Sequence, residues 1–96
     1  MQDYELTLIL KSQLEEGARN ELIERVNGWL VPEEGAEKPV VNHWGQRRLA
    51  YEINKNREGY YLLIETKLDG GRISDIEQNL RYNEDVLRYM FIRKEE

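Results

Sequence analysis

A chain of 96 residues with 40% hydrophobic and 34% charged side chains is sized for one soluble domain, residues 1–96, with a modest core. It has no cysteine, which excludes disulfides, zinc–thiolate centres and a thiol nucleophile, and its one histidine, His43, cannot build a metal site alone. Its net charge of −5 argues against a diffuse grip on nucleic acid; no apolar run nears the roughly 20 residues that cross a bilayer, and MQDYELTLIL carries acids where a secretory signal has bases, so a cytoplasmic protein without membrane contact is expected.

Tyr4, Leu6, Leu8 and Leu10 alternate with Glu5, Thr7, Ile9 and Lys11, the period of a strand whose first set turns inward. Ser12-Gln13-Leu14-Glu15 then matches a capping box, in which serine and glutamate each satisfy a free backbone N–H. Leu14, Ala18, Leu22, Val26, Trp29 and Leu30 recur at helical spacing with Ile23 alongside, so a first helix is predicted from about 13 to 30. Pro32-Glu33-Glu34-Gly35 would end it, because proline cannot continue the hydrogen-bond ladder.

Val40 and Val41 begin a second extended segment that bends or bulges at Gly45 and resumes over 47–53. Residues 54–59, Asn-Lys-Asn-Arg-Glu-Gly, read as a turn. The third strand, 60–68, sets Leu62, Ile64, Thr66 and Leu68 on one face and Tyr61, Leu63, Glu65 and Lys67 on the other. Asp69-Gly70-Gly71 leads into a second helix marked by Ile73, Ile76 and Leu80, and the last strand covers 86–94. There the bulkier set, Leu87, Tyr89 and Phe91, is assigned inward, leaving Arg88, Met90 and Ile92 outward.

The order βαββαβ, with two helices that each need an apolar wall, gives an α+β fold: a ferredoxin-like two-layer sandwich. Its four-stranded antiparallel sheet is expected in the order 4-1-3-2, with both helices on one face and the other face bare. Ile9, Tyr61, Leu63, Met90 and Ile92 would crowd that bare face with more apolar surface than a wet sheet carries, so it is expected to be partly covered.

Charge is segregated along the chain. Residues 12–37 hold seven carboxylates and two arginines, a net of −5, whereas 38–57 hold five bases against Glu52, a net of +4. Within the basic segment, Arg47 and Arg48 head an apolar run. Charges on an edge strand deter edge-to-edge aggregation; the guanidinium fork also suits a phosphate or a partner carboxylate. Alternation sends the two to opposite faces, so both readings stand.

Catalytic patterns are missing. Acylphosphatases of this fold need a phosphate-cradling loop after the first strand, but here it is Lys11-Ser12-Gln13-Leu14-Glu15-Glu16, ending in acids without a glycine nest. No Ser/His/Asp set or P-loop is present, and no cofactor or small-molecule substrate is implied, so the chain is not read as an enzyme. His43 beside Trp44 could serve as a general base, although a lone histidine at a strand bend usually just forms a hydrogen bond. Residues 57–64 have the basic-Gly-aromatic start of the first RNP motif of RRM domains, whose aromatics stack bases. Leu63 replaces the second aromatic, and Thr7 and Ile9 offer no ring on the first strand.

Three stretches closely resemble the bacterial small-subunit ribosomal protein S-six (S6) family, in order and over nearly the whole chain. They are MxxYE at the start, Trp44-Gly45-Gln46-Arg47-Arg48-Leu49-Ala50-Tyr51-Glu52-Ile53 with Gly59-Tyr60-Tyr61 after it, and LRYNEDVLRYMFIRKE at the end. The resemblance implies a non-enzymatic protein that is a monomer outside the ribosome. It would bind the central domain of small-subunit rRNA together with ribosomal protein S-eighteen, which lies on the second strand and bare face. Carried over by motif, Tyr4, Arg47, Arg48 and Arg88 would serve RNA, and Leu49, Tyr51, Tyr61 and Leu63 the protein partner. Many members carry a base directly after Met1, where this chain has Gln2 and Asp3, and Asp3 would repel phosphate. Some relatives have a C-terminal tail that receives extra glutamates, whereas this sequence stops at Glu95-Glu96. The alternative reading is a ferredoxin-like interaction module or regulatory homodimer without RNA.

Overall fold

The N-terminal alternation forms β1 (Gln2–Lys11), which takes an interior place in the sheet of this computed structural model. Residues 2–31 and 38–94 are described, so the proposed stop at Pro32–Gly35 lies outside them. β1 runs antiparallel to β3 (Asn56–Leu68) on one side and β4 (Val86–Arg93) on the other, while β2 (Val40–Ile53) pairs with the far edge of β3. The order β2-β3-β1-β4 is the expected 4-1-3-2 read from the opposite edge.

Register explains the core. Leu6 lies opposite Ile64 and Phe91, and Leu8 opposite Leu62 and Tyr89, so one face of three strands is apolar along these rows, with Thr66 opposite Tyr4 its buried polar member. Helices α1 (Glu16–Leu30) and α2 (Ile73–Arg81) cover that face with Leu22, Ile23, Val26, Leu30, Ile76 and Leu80. Among the described residues, Leu6, Leu8, Leu10, Leu62 and Leu80 fall below 2% exposure. Each such burial is worth about 1.5–3 kcal/mol, so this face is the main source of stability. Arg72, in the 3₁₀ turn Gly70–Arg72 before α2, donates to Leu30 O at 3.2 Å and to Trp29 O. It thereby satisfies carbonyls at the C-terminus of α1, whose own last turn has no base.

The structure corrects three local expectations. α1 starts at Glu16 rather than near residue 13, and its N-cap, Glu15, makes no side-chain cap bond, so the capping box does not form. Ser12 to Leu14 instead turn the chain off β1, with Leu14 N bonded to Lys11 O at 3.4 Å and Leu14 half-buried against the core. Helical geometry begins only after this turn, and Ala18 is exposed. The turn after β2 is only Asn54-Lys55, both at positive φ (46° and 65°), the two-residue hairpin geometry that matches strand twist; β3 therefore begins at Asn56. On β4, pairing jumps from Ile9↔Arg88 to Leu10↔Val86. Leu87 is the bulged extra residue, so strict alternation fails there: Leu87 is still buried, at 9% exposure, while half-buried Val86 packs on the core cluster opposite Leu10. Tyr89 and Phe91 do pack inward, while Met90 and Ile92 are exposed.

Gly45 does mark a bulge: its φ is 86°, and register shifts between His43 and Gly45. Gly59 has a different reason. A Cβ there would run into Ile9 Cγ2 and stand 3.4 Å from both Leu10 O and Leu49 Cδ2. Gly59→Ala is expected to destabilise the protein by about 1–3 kcal/mol in urea unfolding, through overpacking. Gly28→Ala, on an open stretch of α1, should stabilise by up to about 1 kcal/mol. Equal stabilities for the two variants would show that Gly59 is not a packing constraint.

Candidate functional site

The helix-free face of the sheet is built in rows across the strands, from β2 to β4. One row reads Val40, Glu65, Glu5, Ile92; the next Asn42, Leu63, Thr7, Met90; the third Gly45, Tyr61, Ile9, Arg88. Met90 is 54% and Ile92 46% exposed, and Leu63, Tyr61 and Ile9 are half-buried. Asn42 Nδ2 donates to Leu63 O at 3.3 Å, tying the middle row to the β2 edge.

Glu5 and Glu65 are direct cross-strand neighbours, an arrangement that like charges disfavour. Lys94 relieves it. Its Nζ lies 2.7 Å from Glu65 Oε1 and 3.4 Å from Glu5 Oε1, and its backbone N–H donates to Asp3 O at 2.9 Å. The hydrogen bond from Lys94, then its charge, holds the Glu65 carboxyl below the usual carboxylate range. In return the hydrogen bond to Glu65 raises Lys94 above the ordinary lysine value. The three groups leave one net negative charge at this end of the face.

The opposite end carries the basic hairpin. Between the pairs Arg48↔Glu58 and Ile53↔Asn56, β2 has four residues where β3 has only Arg57. The surplus arches over the outer face. Leu49 packs above Gly59 beside Ile9 and is only 8% exposed. Tyr51 reaches Arg88, whose guanidinium carbon lies 5.2 Å from the ring centroid. β2 and β4 are opposite edges of the sheet, about 14 Å apart at the usual strand spacing, so only an overfolded hairpin can make that contact. The turn is held by the Asn56 amide, which donates to Ile53 O at 3.2 Å and Asn54 O at 3.0 Å.

Arg47 pairs with Gly59 on the outer face and Arg48 with Glu58 on the other, both exposed, and Gln46 donates to Glu58. None of Arg47, Arg48, Lys55 and Arg57 has a carboxylate within ion-pair distance among the described residues. The remaining sequence candidates separate. Tyr61 and Leu63 share the outer face, Tyr51 and Arg88 meet each other, but Tyr4 and Leu49 are buried. Tyr4 makes an edge-to-face contact with Phe91, centroids 6.4 Å apart, and so presents no ring to RNA. Leu49 supports the hairpin from within and offers no side-chain surface. His43 Nδ1 lies 2.9 Å from the Tyr60 hydroxyl, and the Arg19 guanidinium sits 4.0 Å over the same ring.

Lys94 with its two glutamates, and the pairing of Tyr51 with Arg88, were not visible as sites in the sequence. Each depends on side chains that are distant in the chain and join only through strand pairing or overfolding. The exposure of Trp44, 49% at the bulge, follows from Gly45, but no sequence pattern assigns it a role.

The fold and this surface define a small ferredoxin-like α+β protein whose distinctive features are a sheet face and a cationic hairpin. The family model described as Ribosomal protein S6 matches residues 3–93. The chain is 45% identical, over all 96 residues and the whole of that relative, to small ribosomal subunit protein bS6 of Halalkalibacterium halodurans. Its structure is similar to the crystal structure of 30S ribosomal protein S6 from Thermotoga maritima, with a TM-score of 0.83 and 30% identity, covering 97% of this chain and 87% of that one. The chain belongs to the ribosomal protein S6 family; it is a protein of the small subunit of the cytoplasmic bacterial ribosome.

The Lys94 arrangement has a pH signature. A carboxylate held low contributes stability that is present above its unfolded value and lost as pH falls through the folded one. An amine held high contributes below its unfolded value and loses it as pH rises through the raised one. Lys94→Met should therefore lower the melting temperature at neutral pH, and the deficit should vanish as pH falls through the Glu65 transition, below the usual carboxylate range. Melting curves separated by the same amount into strong acid would contradict the arrangement.

Proposed function

We propose that this protein enters the small subunit as a co-binder, with the outer sheet face taking ribosomal protein S-eighteen and the hairpin arginines reaching phosphates of the central domain of the rRNA. The observation that carries the reading is the division of one surface. Leu63, Met90 and Ile92 form an apolar strip beside Glu5 and Glu65, which share the Lys94 ammonium, a setting suited to a basic protein. Arg47, Arg48, Lys55 and Arg57 stand exposed at the other end, suited to phosphate. Tyr61 and Leu63 serve the protein partner, and Arg47, Arg48 and Arg88 the RNA.

A net charge of −5 leaves the isolated monomer weak on RNA, because few phosphates are neutralised and the acidic α1 opposes approach. A basic partner on the outer face completes a composite positive surface. Protein contact comes first and arginine contacts second. Outside the ribosome the chain is a monomer, with no catalytic step of its own.

Filter-binding titration with a central-domain rRNA fragment tests this: the pair should bind far more tightly than either protein alone. An isolated chain binding as tightly as the pair would defeat the reading. So would a stable homodimer with no ternary species on size exclusion, which favours a regulatory dimer. Arg47→Glu and Arg48→Glu should each move monomer stability by less than about 0.5 kcal/mol, as exposed substitutions do. At least one should weaken ternary assembly and flatten its salt dependence. A large loss of melting temperature would make that arginine structural instead.

A further inference from the structure

Tyr51 is 59% exposed and, with Trp44 and Tyr82, is among the exposed rings of the described residues. Its setting is not that of a loose side chain. The guanidinium of Arg88 faces the ring, within cation–π range, and Leu49, buried over Gly59 and Ile9, anchors the arch that carries it. A shallow concavity beside the ring is lined by Arg48, Leu49, Ala50, Tyr51, Glu52 and Arg57. The ring is therefore held in place by Arg88, shares its concavity with Arg48 and Arg57, and keeps much of its surface open.

We infer that Tyr51 is a stacking platform for one unpaired nucleobase of RNA, with Arg48 and Arg57 holding the adjoining phosphates. Every base has a π face, so an open tyrosine ring suits any of the four, and arginines beside it supply the charge that a nucleotide's backbone requires. The same cations speak against a basic protein at this spot. Such a partner would bring positive charge against Arg48, Arg57 and Arg88, whereas the apolar strip with Glu5 and Glu65 lies at the other end of the face. Glu52 also lines the concavity and would repel a phosphate set beside it, so the nucleotide backbone runs on the side of Arg48 and Arg57. This assignment moves Tyr51 from the protein partner to RNA. It rests on the composite binding described under Proposed function and adds what kind of RNA element the hairpin takes: an unpaired nucleotide rather than a regular duplex.

The test uses the 96-residue chain with S-eighteen and the central-domain rRNA fragment. Ultraviolet crosslinking followed by mass spectrometry should place a nucleotide on Tyr51. Tyr51→Leu should weaken fragment binding by about tenfold, Tyr51→Phe should largely restore it, and Tyr82→Leu, exposed on another part of the surface, should bind as the parent does. Arg57→Gln should lower the salt slope by about one. If the unsubstituted pair fails to bind the fragment, the co-binding reading falls and this inference with it. If the pair binds but Tyr51→Leu binds equally well, or Tyr51 crosslinks only to the partner protein, the platform alone is overturned.

Discussion

Everything in this molecule hangs on the two-sided alternation of β1. Because β1 is flanked by a strand on each side, its register with β3 and β4 decides at once which residues of three strands face the helices. Leu6, Leu8 and Leu10 go inward, and the leucines, isoleucine and aromatics opposite them follow. The same step sends Glu5, Thr7 and Ile9 outward beside Leu63, Tyr61, Met90 and Ile92. A slip of one residue would exchange these faces, placing Glu5 in the core and the leucines in water. Core and candidate binding surface are therefore a single decision, and neither could be altered without the other.

The outer face then acquires its division from two devices at opposite ends. At one, Lys94 from the end of β4 neutralises half of a carboxylate pair that strand pairing brings together. At the other, surplus residues in β2 let the hairpin fold over, and the missing side chain at Gly59 makes room for Ile9 and Leu49 beneath it. An ordinary residue at Gly59 would lift the arch, and the Tyr51 ring would no longer meet Arg88. The charge segregation along the sequence thus becomes a segregation in space only because a glycine allows close packing. A chain that is acidic overall can present a local basic surface without changing its net charge.

Some elements were legible because their signals are local. The strand alternation of Tyr4–Leu10 and Leu62–Leu68, the helical spacing of Leu22, Val26 and Leu30, and Gly45 as a bulge each involve neighbours in sequence. The capping box was legible and misleading: Ser12 and Glu15 have the right spacing, but burying Leu14 turns the chain before a helix can start. Likewise the polar composition of residues 54–59 suggested a long turn. Pairing with β2 drew Asn56 to Gly59 into the strand, with positive φ at Asn54 and Lys55 closing the hairpin in two residues. Among the candidate site residues, Arg47 and Arg48 were placed correctly on opposite faces by alternation alone. Tyr4 and Leu49 were not recognisable as buried supports, since burial depends on what lies above a side chain.

The sequence by itself determined the element order, the inward and outward sets of β1 and β3, the polarity of charge, and the motifs of its family, because these reside in adjacent residues and their periods. Only the tertiary structure decided that the hairpin folds back across the sheet, that Tyr51 meets Arg88, and that Lys94 joins Glu5 to Glu65. Those contacts link opposite edges or neighbouring strands of the sheet. They arise from bulges, twist and the space at one glycine, which no pattern of neighbours along the chain can specify.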